Sequence, residues 1–170
     1  MKMPLFVTKR VLKMMKALAE SRPADVNIGP EGDAYMQRWF VIPRNRVFNI
    51  YLHIFRHDDE RVLHSHPWWS ISLLLWGTVA EYWTPSANGA ADVRQHRFAL
   101  HEMGAIAVRS ASLFHRIELR SPAAMTLFIT GPKIRTWFFA CAKGLVRWDK
   151  YVERRDGNVS APGAGCGELN

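Results

Sequence analysis

Two hydrophobic periods divide the chain. Over residues 8–20 the apolar positions Val11, Leu12, Met15, Leu18 and Ala19 recur at helical spacing, with lysines and an arginine on the other face. Thr8 stands where an N-cap is wanted. The spacing predicts a helix that lays one face on the domain, in preference to a membrane-surface or partner helix. Residues 21–33 contain Pro23, Gly29, Pro30 and Gly32 and predict a connecting loop. Beyond Tyr35 the period shortens to that of strands. Residues 35–42, 47–56, 70–75, 78–84, 93–98, 105–109, 115–119, 125–129 and 136–141 are rich in aromatic and β-branched side chains. The turn 43–46, Gly77, the stretch 85–89, Gly104, Pro122 and the pair Gly131-Pro132 punctuate them. Many short strands at this spacing predict an all-β sandwich or barrel carrying an N-terminal helix and a short C-terminal extension.

A chain of 170 residues with 48% hydrophobic content is sized for one core. Residues 1–33 are expected to pack on the domain as helix and linker, 34–156 to form the β-barrel with its extension, and 157–170 to be a flexible tail. The longest apolar runs, 71–76 and 125–130, are strand-sized and too short to cross a bilayer. Lys2, Lys9, Arg10, Lys13 and Lys16 are interleaved with apolar residues, unlike a secretory signal. Cys141 and Cys166 are the only two cysteines. A disulfide framework is not expected, Cys141 is expected to be buried, and a cytoplasmic location is inferred. The formal net charge of +8 is spread over the N-terminal segment, the turn arginines Arg44 and Arg46, and residues 143–155. That scatter argues against nucleic acid and leaves small anionic partners and a homodimer open.

Chemistry concentrates in the histidines. Of seven, His64 and His66 are two apart, so on a strand both rings face one side and converge on one ion. Pro67 ends the strand just beyond them. Around this pair the chain resembles the cupin superfamily of double-stranded β-helix, RmlC-like proteins. Their first motif, G-x5-H-x-H-x(3,4)-E-x6-G, runs here from Asp58 through His64, His66 and Ser70 to Gly77. The second, G-x5-P-x-G-x2-H-x3-N, runs from Gly104 through Ser110, Ala111 and Ser112 to His115 and Leu119. The resemblance covers residues 47–129 and implies a jelly-roll barrel with His64, His66 and His115 as ligands of a divalent metal. Asp58 and Ser70 replace the first motif's glycine and glutamate; Ser110, Ser112 and Leu119 replace the second's proline, glycine and asparagine.

Ser70 brings no charge to an ion, so three histidines would leave a Lewis-acidic centre with open positions. The all-histidine set is similar to that of thiol dioxygenases and some diketone-cleaving cupins. It implies Fe(II) first, with Zn, Mn or Ni as alternatives, and an oxygenase acting on a small-molecule substrate, an anionic one included. A metal-dependent sugar isomerase or lyase and a non-enzymatic binding module are the competing readings. Asp58, Asp59 or His57 offers a fourth ligand from the preceding loop. Pocket candidates are His53, Tyr51, Ser70 and Arg46, with Tyr51, Tyr82 and Glu81 as acid–base groups not yet placed. His96 and His101 are expected at the surface. Trp68, Trp69, Trp76 and Trp83 are expected mainly in the core, Trp137, Phe138 and Phe139 over the barrel, and Trp148 with Tyr151 against the C-terminus.

Overall fold

The computed structural model describes every residue except 31, 60, 86, 156–157, 163–164 and 168–170, with residues 89, 153–155 and 158–162 described by backbone alone. Its first element is α1 (Leu5–Ser21), which begins earlier than the sequence spacing suggests, with Pro4 at the N-cap. Thr8 therefore lies inside the helix rather than capping it. It is fully buried, and its hydroxyl donates to the Pro4 carbonyl at 3.1 Å. The helix stripe does what its spacing requires. Met15, with Val11, Leu12, Leu18 and Ala19, packs on Trp39, Leu52, Leu73, Leu75 and Met125.

Those partners belong to one antiparallel sheet. Its strands are β1 (Val26–Ile28), β2 (Met36–Phe40), β3 (Asn49–Phe55), β4 (Ser70–Trp76), β7 (Ile106–Arg109) and β9 (Ala124–Thr130), in the order β1-β2-β3-β9-β4-β7. β1 replaces part of the expected loop 21–33 and pairs with β2 through Val26 and Arg38. Strand alternation then sorts the residues. Leu52 and Ile54 on β3, with Met125 and Leu127 on β9, face α1. Tyr51, His53 and Phe55, with Thr126, Phe128 and Thr130, share the opposite face. The register extends that face across Ser70 and Ser72 on β4, and Arg38 and Phe40 on β2.

A second layer covers this polar and aromatic face. It contains β5 (Val79–Thr84), β6 (Arg97–His101) and β8 (Phe114–Leu119) in the order β6-β5-β8. The sequence pattern placed the β6 strand at 93–98; a short 3-10 turn occupies Val93–Gln95 instead. The hairpin β10 (Phe138–Cys141) with β11 (Gly144–Arg147) continues this layer through isolated bridges of His64 to His115 and to Phe139. Two antiparallel layers, one of them covered by the N-terminal helix α1, form the expected all-β jelly roll.

The C-terminal extension differs from expectation. After a short helix, α2 (Trp148–Tyr151), strand β12 (Val152–Arg155) pairs with β13 (Asn158–Pro162), so these residues of the expected flexible tail are strand; its residues 157, 163–164 and 168–170 lie outside the described residues. Cys141 and Cys166 form a disulfide, which overturns the expectation of none. Cys141 is buried on the β10 edge beside Phe139 and Tyr151, and the extension brings Cys166 back to it. Composition could not reveal this closure, because it depends on where β12 and β13 turn the chain.

Gly77 closes the β4–β5 turn at φ +86°, and a Cβ there would press on the Ala123 carbonyl. Gly77→Ala is expected to lower unfolding free energy by about 1–3 kcal/mol in urea denaturation. An unchanged midpoint would show that the turn carries no such constraint.

Candidate metal centre

His64 is positioned by backbone pairing on both sides. Its N–H donates to the His115 carbonyl and its carbonyl accepts from the His115 N–H, both at 2.9 Å. On the other side, Ser65 N–H donates to the Phe138 carbonyl, while the Leu63 carbonyl accepts from Ala140 N–H. Ser65 is fully buried, and its hydroxyl accepts from Phe138 N–H at 3.1 Å. The segment is thus wedged between β8 and β10 rather than forming the full strand expected. The direct pairing sets the rings of His64 and His115 5.2 Å apart. His66, two residues on, brings its ring within 5.0 Å of each.

One nitrogen from each of the three rings falls within 4.8 Å of the others. The Nε2 atoms of His66 and His115 are 2.8 Å apart. Imidazoles at zinc-bond length from one tetrahedral ion would hold their nitrogens about 3.3 Å apart, so a small opening of this pair would admit one. Burial first, then the charges of His115, His64, Arg109 and Arg38, pushes the His66 pKa well below that of free imidazole. Burial also lowers His115, against the hydrogen bond it donates to Glu81. Nδ1 of His64 is buried without a hydrogen-bond partner among the described residues. Convergent imidazoles, with one orphaned nitrogen, fit a first-row divalent ion.

Behind His115 stands Glu81, buried on β5. Its Oε1 accepts from His115 Nδ1 at 2.7 Å and from Arg109 Nε at 2.6 Å. Its Oε2 takes Arg109 Nη2 at 2.9 Å and faces His101 Nε2 at 2.8 Å. Arg109 Nη1 also donates to Ser72 Oγ at 2.8 Å. Burial alone would raise the Glu81 pKa, but the Arg109 charge and the bonds from His101 and His115 hold it far below the usual carboxylate range. A carboxylate only accepts, so the Nδ1 proton of His115 stays on that side and Nε2 presents its lone pair to the other two rings.

The remaining candidates separate clearly. Asp59 comes within 3.7 Å of His64 Nε2, whereas Asp58 accepts from Leu119 N–H and His57 pairs with Asp33 outside. His53 and Tyr51 are buried and stacked 5.8 Å apart. Ser70 is buried with its hydroxyl unpartnered among the described residues. Arg46 is exposed in its turn and belongs to no such cluster. His101, expected at the surface, turns inward to Glu81. Among the tryptophans, Trp69 and Trp76 are exposed. Trp68 and Trp137 instead lie nearly parallel to the His66 ring, at 6.5 and 6.3 Å.

Arg109 and Arg38 escaped the sequence reading. Arg109 ends β7 and Arg38 sits mid-strand in β2, each in a pattern that reads equally well as a solvated face. Only the strand order brings them inside.

No family model matches the sequence, and no curated protein matches it. Among solved structures, the iron(II) form of HppE with its substrate is similar at 14% identity and TM-score 0.50, over 65% of this chain and 57% of that one. The DMSP lyase DddQ from Ruegeria pomeroyi is similar at 13% identity and TM-score 0.48, over 66% of this chain and 54% of that one. An RmlC-like cupin family protein from Methanocaldococcus jannaschii is similar at 10% identity and TM-score 0.45, over 61% and 86%. The chain thus spans little more than half the length of the first and second of these. No helix among the described residues is long and apolar enough to cross a membrane.

Arg109→Ala would leave the buried Glu81 carboxylate without its main counter-charge. The variant is expected to lose about 3–5 kcal/mol of stability in urea denaturation, and wild-type stability would contradict the clasp. The antiparallel layers and their order, with the likeness in fold to HppE, give this chain a two-layered jelly roll, the fold that the resemblance of its histidine motifs to the cupins implies.

Proposed function

We propose that the protein is a metal-dependent enzyme in which His64, His66 and His115 hold one divalent ion, iron(II) by preference, for an oxygenase reaction on a small molecule. The observation that supports this best is the convergence of three imidazoles, His64 and His115 buried and His66 half-buried, with His115 clasped from behind by Glu81. When bound, such an ion supplies Lewis acidity at open coordination positions, and iron(II) adds reactivity toward dioxygen. The chain's own residues would do the rest. Glu81 keeps the His115 Nδ1 proton away from the ion's side. Trp68 and Trp137, parallel to His66, limit water there, and His53 with Tyr51 forms a wall of the same interior. The iron(II) held by HppE supports the choice of metal; Zn, Mn and Ni suit the same nitrogen donors.

Anaerobic reconstitution with iron(II), followed by elemental analysis, tests the reading. One iron per chain is expected, with affinity reduced more than about 100-fold in His64→Ala and His115→Ala. Nitric oxide, as a surrogate for dioxygen, is expected to bind the loaded protein and give an electron paramagnetic resonance signal. Uptake of zinc but not iron would remove the oxygenase and leave a redox-inert centre. Failure to take up any metal would remove the whole proposal.

A further inference from the structure

The inner face of the six-stranded sheet carries a half-buried cation that no carboxylate among the described residues pairs with. Arg38 on β2 lies directly across from His53 on β3, and its Nε donates to His53 Nε2 at 2.8 Å. The guanidinium carbon lies 4.9 Å from the centre of the Tyr51 ring. Among the described residues no carboxylate forms an ion pair with Arg38, while Arg109 is fully engaged by Glu81 and Ser72. Arg38 is half-buried, and the water it loses there is the first influence on its pKa, lowering it. Burial followed by the Arg38 charge likewise keeps His53 neutral, so His53 accepts the hydrogen bond and supplies no compensation. Arg38 also acts on His66 electrostatically, and the His53 and His66 rings lie 5.0 and 6.4 Å from Phe128. The cation and the histidine trio therefore share one interior.

The charges there are unequal. Arg38 and Arg109 oppose the single carboxylate of Glu81, and a divalent ion would widen the excess even with Asp59 beside His64 counted. A half-buried guanidinium on the inner face, reachable from the interior and paired with no described carboxylate, is a seat for an anion. With Nε committed to His53 and no bond from the two terminal nitrogens to a described residue, those nitrogens can receive an oxyanion side by side.

We propose that Arg38 is a substrate-binding residue, and that the small molecule this interior takes carries a carboxylate which pairs with the Arg38 terminal nitrogens. The pairing would fix one end of the molecule while the other reaches the ion, so it rests on the metal-centre reading for its catalytic purpose. The carboxylate site itself does not need the ion. His53 is the positioning residue, holding the guanidinium by its Nε.

The test uses acetate as the probe and acetamide as its neutral control, titrated into the full-length protein both metal-free and zinc-loaded. The His53 ring nitrogens, followed by nuclear magnetic resonance, report on the bond from Arg38. Acetate is expected to shift them saturably and acetamide to leave them unmoved. Arg38→Met is expected to weaken acetate binding at least about tenfold, as loss of a charge-assisted pair does, and Arg38→Lys to restore part of it. Both variants are expected to keep the zinc content of the wild type, and Arg38→Met to melt no lower than the wild type, since it removes an uncompensated charge. Acetate that leaves His53 unmoved, or binds Arg38→Met as well as wild type, overturns the proposal. So does a lower melting temperature in Arg38→Met with acetate binding intact, which would make Arg38 a purely structural residue. A wild-type protein that takes no zinc yet binds acetate through Arg38 would sink the metal-centre reading and leave the carboxylate site standing.

Discussion

The interaction on which the rest of the interior depends is the clasp of Arg109 around the Glu81 carboxylate. A buried carboxylate is stable only if its oxygens are filled, and here Arg109, His115 and His101 fill them. Each contact crosses between elements. Glu81 comes from β5, Arg109 from β7 in the opposite layer, His115 from β8 and His101 from β6. The clasp therefore ties the two layers together at the same point where it fixes the tautomer of one imidazole. Fold stability and site chemistry meet in a single carboxylate.

The six-stranded sheet explains why such polarity is tolerated inside. One face is apolar and closed by α1, where Leu52, Leu73 and Leu75 supply an ordinary core. The other holds Arg38, Tyr51, His53, Ser70, Ser72, Thr126, Phe128 and Thr130. Division of labour between the faces lets the helix side carry hydrophobic stabilisation while the interior side carries polar groups. Ser70 and Thr130 face each other in register with hydroxyls that find no partner among the described residues, another mark of an interior built around something besides packing.

Much of this was legible in the sequence, and the exceptions have physical causes. The short strands and the helical stripe announced themselves through their periods. His64, His66 and His115 could be grouped because motif spacing records strand connectivity, and they do converge. Glu81, by contrast, is one acidic residue in the alternating run 79–84, and nothing local tells an inward carboxylate from a solvated one. Arg38 and Arg109 were silent for the same reason, since inward direction on a strand is decided by its neighbours in the sheet. The missing glutamate at Ser70 suggested a centre poor in negative charge. The structure places a carboxylate behind a ligand candidate instead, one layer further out. The Cys141–Cys166 disulfide was hidden because its geometry depends on the path of the C-terminal extension.

If the Glu81-clasped histidine trio is a metal centre, Glu81 sets how well His115 binds. The most direct measurement is the zinc dissociation constant of Glu81→Gln against wild type, with folding checked by circular dichroism. A glutamine keeps the shape but loses the charge that holds the His115 proton on Nδ1. Zinc is expected to bind the wild type, and the variant to lose about 10–100-fold in affinity. Equal affinity in a folded variant, or no zinc binding by the wild type, would contradict it.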